Sequence, residues 1–295
     1  MNFELIKRYE LKENKSNKKI FFFHVPKCAG LSIANSLGVS LNHFRIPGVP
    51  YPRDKEFENN VVFVKKNIDL INKQFNLNLK HYLSSEIYKH TNDIQKKYSF
   101  LSGHLPFKEF HNDGNFFTFT IIRDPIERFI SDYKFLLQKT KIDWPLETLI
   151  KKNIIQPNLM TSFFSSNKSP DITIAIDNLK KIDIVCGIDK IGMLLGYIIS
   201  LYELPNIILT KINETKSKKN ITDEELKLII DCNQLDIKFY EEAKKIFFDF
   251  DSIEKKEIAF KYFSFYSPYK YFNNKNSLIF HEDKLDFVLN FLQKI

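Results

Sequence analysis

Lys27, Gly30 and Ser32 fall within one short stretch, Pro26-Lys27-Cys28-Ala29-Gly30-Leu31-Ser32, and residues of these types at this spacing suit an anion. Lys27 brings a full positive charge, Ser32 a hydroxyl, and Gly30 lets the backbone come close to a bound group. A second stretch, Arg123-Asp124-Pro125-Ile126-Glu127-Arg128-Phe129-Ile130-Ser131-Asp132-Tyr133, carries an arginine and, about two helical turns beyond Asp124, the hydroxyl of Ser131. A guanidinium fork and a hydroxyl on one face suit a terminal phosphate. Plainer readings stand beside both: a strand, turn and helix with a solvated lysine, and a surface arginine ahead of a helix. For proton transfer near neutral pH the usual side chain is histidine, of which the chain has seven.

Such groups need elements to aim them. Ile20–Phe23 is short, aromatic and closely followed by Pro26, which reads as a buried parallel strand, and Leu31–Leu37 has helical spacing. The first N–H groups of a helix have no intrahelical partner, so a strand, a small-residue turn and a helix start make an anion cradle. Phe116–Ile122 is aromatic and β-branched and reads as a central strand. It stops at Arg123, with Asp124 as N-cap and Pro125 as first residue of a helix running from about Ile126 to about Lys139. Arg123 thus lies at the carboxyl edge of a sheet, where open α/β folds bind ligands.

Elsewhere, Phe100–Gly103 reads as a strand end turning at His104, and His43–Asp54, with Pro47, Pro50 and Pro52, as a loop. Val61–Val64 reads as a strand, and Ile68–Leu79 and Ser84–Tyr98 as helical. Leu146–Lys152 is predicted helical and Asn158–Phe164 irregular or helical. The helix predicted over Ala175–Lys181 leads into a strand at Ile182–Ile188, then a helix over Met193–Leu204 and a strand at Ile207–Lys211. Thr222 and Glu225 have capping-box spacing before a long helix, which continues over 236–249. Alternating strands and helices predict an α/β fold, a doubly wound parallel sheet flanked by helices of the P-loop kind. Residues 1–18 read as a polar lead-in, 19–250 as one domain, and 251–295 as an aromatic-rich extension packed on it.

The first stretch is not a Walker A loop, GxxxxGK[ST], because Lys27 precedes its only glycine. Taken together, PKxxGxS after one strand and RDPxxRxxSxY after a later one resemble the carbohydrate sulfotransferases, those related to the heparan sulfate and uronyl O-sulfotransferases. Ser102-Gly103-His104-Leu105-Pro106-Phe107 resembles the family's GH turn, and Asn158–Phe164 its central segment. Leu179–Ile191 and Asp236–Tyr240 are similar to two further family segments, so the likeness spans about 18 to 250. Cys28 and Leu31 stand where the family has Thr, which removes two hydroxyls.

The resemblance implies a donor, 3′-phosphoadenylyl sulfate (PAPS), and transfer of its sulfonate to a hydroxyl of a saccharide. It implies that Pro26, Lys27, Cys28, Ala29, Gly30, Leu31 and Ser32 form the donor loop, with Lys27 at the phosphosulfate bridge and backbone N–H groups at the 5′-phosphate. Arg123 and Ser131 then take the 3′-phosphate, and His104 in the GH turn is the base. His24 reads as a structural neighbour of the loop and is the alternative base. His43, His81, His90, His111 and His281 have no distinguishing context. No metal is expected, since a transferring sulfonate carries less charge than a phosphoryl group.

The net charge of +8 fits an anionic ligand, although lysine is over-used throughout. Lys216, Lys218 and Lys219 form a basic loop that reads either as solvated or as near the 3′-phosphate, and Tyr262–Phe272 as core packing or a sugar-stacking surface. Three cysteines make no disulfide framework. No segment reaches the ~18 apolar residues of a membrane span, and the N-terminal stretch has no signal-peptide core. A cytoplasmic, bacterial protein is expected, with a saccharide as partner and no nucleic acid. Two other classes stay open: a small-molecule kinase using ATP and magnesium, and a non-catalytic nucleotide- or polyanion-binding protein.

Overall fold

Ile20–Phe23 is buried without exception, as a strand covered on both faces must be. The computed structural model describes residues 6–9, 17–38, 41, 43–46, 99–104, 107, 114–140, 143–165, 169–204 and 219–258. Its strands are β1 (Ile6–Tyr9), β2 (Lys19–Phe23), β3 (His43–Ile46), β4 (Phe100–Gly103), β5 (Phe116–Ile122), β6 (Ile184–Gly187) and β7 (Lys255–Ile258). Its helices are α1 (Gly30–Gly38), α2 (Pro125–Thr140), α3 (Leu146–Lys151), α4 (Leu159–Ser165), α5 (Ile172–Leu179), α6 (Ile191–Leu201), α7 (Asp223–Cys232) and α8 (Gln234–Lys244).

The five strands β3-β4-β2-β5-β6, in that spatial order, form one parallel sheet. The chain leaves the middle strand β2, fills one side with β3 and β4, then crosses to the other with β5 and β6. Its direction therefore reverses at β2, and the carboxyl end of β2 is the switch point where α/β sheets bind ligands. Every residue of β5 is buried as well, and Phe22 of β2 stacks on Phe119 of β5 with ring centroids 4.6 Å apart. A second apolar cluster, with Phe129, Tyr133, Leu149 and Ile229 at its centre, joins α2, α3 and α7. The α/β fold with a parallel sheet flanked by helices is as expected.

Several boundaries differ from the sequence reading. His43–Ile46, expected as loop, is the edge strand β3, paired with β4 in the register His43↔Phe100. The prolines that signalled a loop begin only at Pro47, and the residue before a proline favours extended backbone. The polar lead-in contains β1, which pairs antiparallel with β7 in the register Ile6↔Ile258, so these two strands form a small sheet separate from the main one. The helix expected over 236–249 stops at Lys244, and the Phe248 N–H then donates to the Val185 carbonyl at 2.8 Å. Helix α5 begins at Ile172, capped by the Asp171 carboxylate on the Ile174 N–H, rather than at Ala175. The elements expected at 61–64, 68–79, 84–98 and 207–211, with Lys216, Lys218 and Tyr262–Phe272, lie outside the described residues.

Candidate active site

The loop after β2 is built by backbone conformations that side chains resist. The Cys28 N–H reaches back to the Val25 carbonyl at 3.2 Å, closing a turn with Pro26 second and Lys27 third. Lys27 has φ +69°, the left-handed value a type II turn demands at that place, and Pro26 ahead of it presets the turn. Ala29 is left-handed too, at φ +56°, while Cys28 and Gly30 are not. Each left-handed residue costs about 1–2 kcal/mol, so the alternation is a feature the fold sustains rather than a default. Alternating signs of φ turn successive N–H groups towards one point, the concavity that binds anions. The N–H groups of Gly30, Leu31 and Ser32 precede the first helical bond of α1, from Ile33 to the Ala29 carbonyl at 3.2 Å, and extend that concavity. Cys28 lies beneath with its thiol beside the Arg123 backbone N–H; burial pushes the thiol up to about 12, so it stays neutral.

Helix α2 brings the second stretch to this loop. Asp124 caps it, its carboxylate accepting from the Ile126 and Glu127 N–H groups at 3.0 Å each. Arg123 at the end of β5 donates from Nε and Nη2 to Glu127 Oε2, both at 3.3 Å. Lys27 Nζ sits 3.8 Å above the ring of Phe135. Glu127, Ser131 and Phe135 follow one another at four-residue steps and so share one row of α2. Ser131 is therefore flanked by the residue that seats Arg123 and the residue that seats Lys27. Burial draws the Lys27 ammonium down to about 8; Asp132 opposes this, and the guanidinium groups of Arg123 and Arg128 add to it.

The histidines meet because their strands pair. Phe23 of β2 lies opposite Gly103 of β4, which sets His24 beside His104 at the carboxyl edge. His104 Nδ1 is 2.7 Å from the His24 carbonyl oxygen, and the rings lie 4.1 Å apart, centroid to centroid. A carbonyl only accepts, so Nδ1 carries the proton and the basic lone pair of a neutral His104 is on Nε2. Gly30 has a steric role that the sequence reading did not give. A Cβ there would fall inside the imidazole of His24, so glycine makes room for a side chain.

Two segments noted for family likeness turn out to hold one another. Asn158 accepts from the Leu235 and Asp236 N–H groups at 3.0 and 3.1 Å, capping α8. Asp236 in return accepts from the Met160 N–H (3.1 Å), the Thr161 N–H (2.8 Å) and the Thr161 hydroxyl (2.7 Å), capping α4. Asp236→Ala is expected to lower stability by about 2–4 kcal/mol, since three bonds to a fully buried carboxylate are lost. A urea midpoint unchanged from wild type would show the reciprocal caps to be dispensable. Lys219 pairs with Glu225 at 3.3 Å and Asp143 at 3.6 Å, which ties it to the local cluster around Tyr133.

The sequence reading passed over Glu127, Phe135 and Arg128. The first two are the seats of Arg123 and Lys27. Arg128 is fully buried, its guanidinium donates no hydrogen bond among the described residues, and its ion pair with Asp132 spans 3.6 Å. Its place four residues before Asp132 and eight before Leu136 was the available signal, because that spacing sets it in the buried row of α2. Among the described residues no three acidic, cysteine or histidine side chains are grouped to hold a metal, and no helix is long and apolar enough to cross a membrane.

No curated protein matches the sequence. A model of the Sulfotransferase family matches residues 14–172, which takes in the loop after β2, His104, Arg123 and Ser131. The segments at 179–191 and 236–240 lie beyond that match. With more than half its length matched, and with an α/β parallel sheet carrying the alternating-φ loop at its switch point, the chain belongs to the Sulfotransferase family, enzymes that use PAPS as donor.

Proposed function

We propose that the protein transfers the sulfonate of PAPS to a hydroxyl of a saccharide. What supports this most is the row Glu127, Ser131, Phe135, which gathers Arg123, Ser131 and Lys27 along one side of α2 beside the alternating-φ loop. The Gly30–Ser32 N–H groups would take the 5′-phosphate, and Arg123 and Ser131 the 3′-phosphate, with Arg123 leaving its exposed partner Glu127. Lys27 would meet the oxygen bridging phosphorus and sulfur, where charge grows as that S–O bond breaks. The acceptor oxygen forms the new bond to sulfur, and His104 takes the hydroxyl proton at Nε2 as 3′-phosphoadenosine 5′-phosphate (PAP) leaves. The acceptor class rests on the likeness of PKCAGLS, the GH turn and RDPxxRxxSxY to carbohydrate sulfotransferases.

Calorimetry is expected to show PAP bound far more tightly than ADP, and Arg123→Ala to weaken PAP by about 1.5–3 kcal/mol, the scale of a charge-assisted contact. Equal affinities for PAP and ADP would instead favour a kinase. For the acceptor, transfer of labelled sulfonate from PAPS should proceed to saccharides and not to small phenols. The opposite preference would overturn the acceptor assignment while leaving the donor intact.

A further inference from the structure

We infer that His24 is a positioning residue whose imidazole is the spacer between the donor loop and His104; the inference rests on the reading of His104 as base. Three contacts carry it. On one side the ring occupies the place of a Gly30 side chain, at the first turn of α1. On another it lies against the His104 ring, 4.1 Å between centroids at 34°. Below, it stacks on Phe22 at 5.4 Å and 18°, and Phe22 stacks on Phe119 at 4.6 Å and 8°. Phe119, Phe22, His24 and His104 thus make a column of rings that rises from the core of the sheet to its carboxyl edge.

The backbone of His24 grips His104 as well. Its N–H donates to the Gly103 carbonyl at 3.0 Å, and its own carbonyl accepts from His104 Nδ1 at 2.7 Å. One residue therefore fixes both the direction of the His104 ring, through the carbonyl, and its stand-off from α1, through the imidazole. At 5 % exposure His24 has packed neighbours on its sides, so displacing it must displace something that matters. A shift of the loop at Gly30 passes through the His24 ring to His104. That is how a donor loop and a base that follow different strands are kept in register.

The test is a cycle between positions 24 and 30, read by PAP calorimetry and by turnover on the full-length protein. Gly30→Ala should weaken PAP by about tenfold or more, because a Cβ and the His24 ring claim one space. Adding His24→Ala vacates that space, and the double variant should return to within about threefold of wild-type PAP affinity. Its turnover should stay down by about tenfold or more, since His104 has lost the ring it leans on. His24→Phe keeps a ring of similar shape and should recover most of the turnover lost in His24→Ala, with the acid limb of the pH–rate profile retained. Wild-type PAP binding by Gly30→Ala, no recovery of binding in the double variant, or His24→Phe no better than His24→Ala would each overturn the inference. Failure of His104 as base is read separately, as turnover surviving in His104→Ala, and leaves the binding half of the cycle unaffected.

Discussion

His104→Ala is expected to lower turnover by about 10²–10⁴-fold, the usual contribution of a positioned general base. PAP affinity should stay close to wild type, because His104 lies after β4 while the proposed phosphate-holding groups lie after β2 and β5. The expectation rests on geometry as well as family likeness. The ring stands at the switch-point edge of the sheet, and its Nδ1 is committed to the His24 carbonyl at 2.7 Å. That bond holds the tautomer with Nε2 as the proton acceptor, a second partner doing for the base what orienting groups do in other active sites. Protonated imidazole cannot take a proton, so wild-type rate should rise with pH along an acid limb, and the variant should lack it. Should His104→Ala keep more than a tenth of wild-type turnover, the base would have to be sought at His24 or among carboxylates.

The parts of this site that sequence made legible are those set by local chemistry. Ile20–Phe23 has no polar residue and reads as a buried strand, and Asp124-Pro125 reads as a helix start; both formed. The capping box at Thr222 and Glu225 formed as its spacing predicts, with both reciprocal bonds present. What stayed hidden depends on which strands become neighbours. His24 and His104 are eighty residues apart, and only the β2–β4 register sets them side by side. The seat of Lys27 on Phe135 is of the same kind, a contact across two elements that no spacing announces.

Gly30 shows the limit differently. The sequence reading gave the glycine to the anion, on the general ground that a missing side chain lets a ligand approach. In the fold the space belongs to His24, and the N–H groups converge on the proposed anion site through the left-handed Lys27 and Ala29, which no propensity would have chosen. The edge strand β3 was concealed by prolines that follow it, and the end of α8 by an aromatic pair, Phe247-Phe248, that reads equally well as helix or as packing against β6. In each case tertiary packing overrode the local pattern, at the site or at the rim of the sheet.

Lys27→Ala is expected to cut turnover by about 10²–10³-fold, the scale of removing one group that stabilises transition-state charge. Donor affinity should fall by much less, because the positive charge matters most as the bridging oxygen takes up electrons. The pH dependence sharpens the test. Burial brings the Lys27 ammonium down to about 8, with Arg123 and Arg128 assisting and Asp132 resisting. The active form is the protonated one, so kcat/KM for the donor should fall as pH rises through about 8, far below the range of an ordinary lysine. Together with the acid limb of the base this makes a bell-shaped profile in the free enzyme. Donor phosphates add negative charge beside Lys27 and hold its proton more tightly, so the alkaline limb in kcat should lie at higher pH than that in kcat/KM. Lys27→Ala should lose the alkaline limb, and Lys27→Arg, whose guanidinium does not titrate in this range, should flatten it while retaining part of the rate. A variant with intact turnover and only a raised KM for PAPS would make Lys27 a binding residue, since uniform loss of ground- and transition-state contacts leaves kcat unchanged.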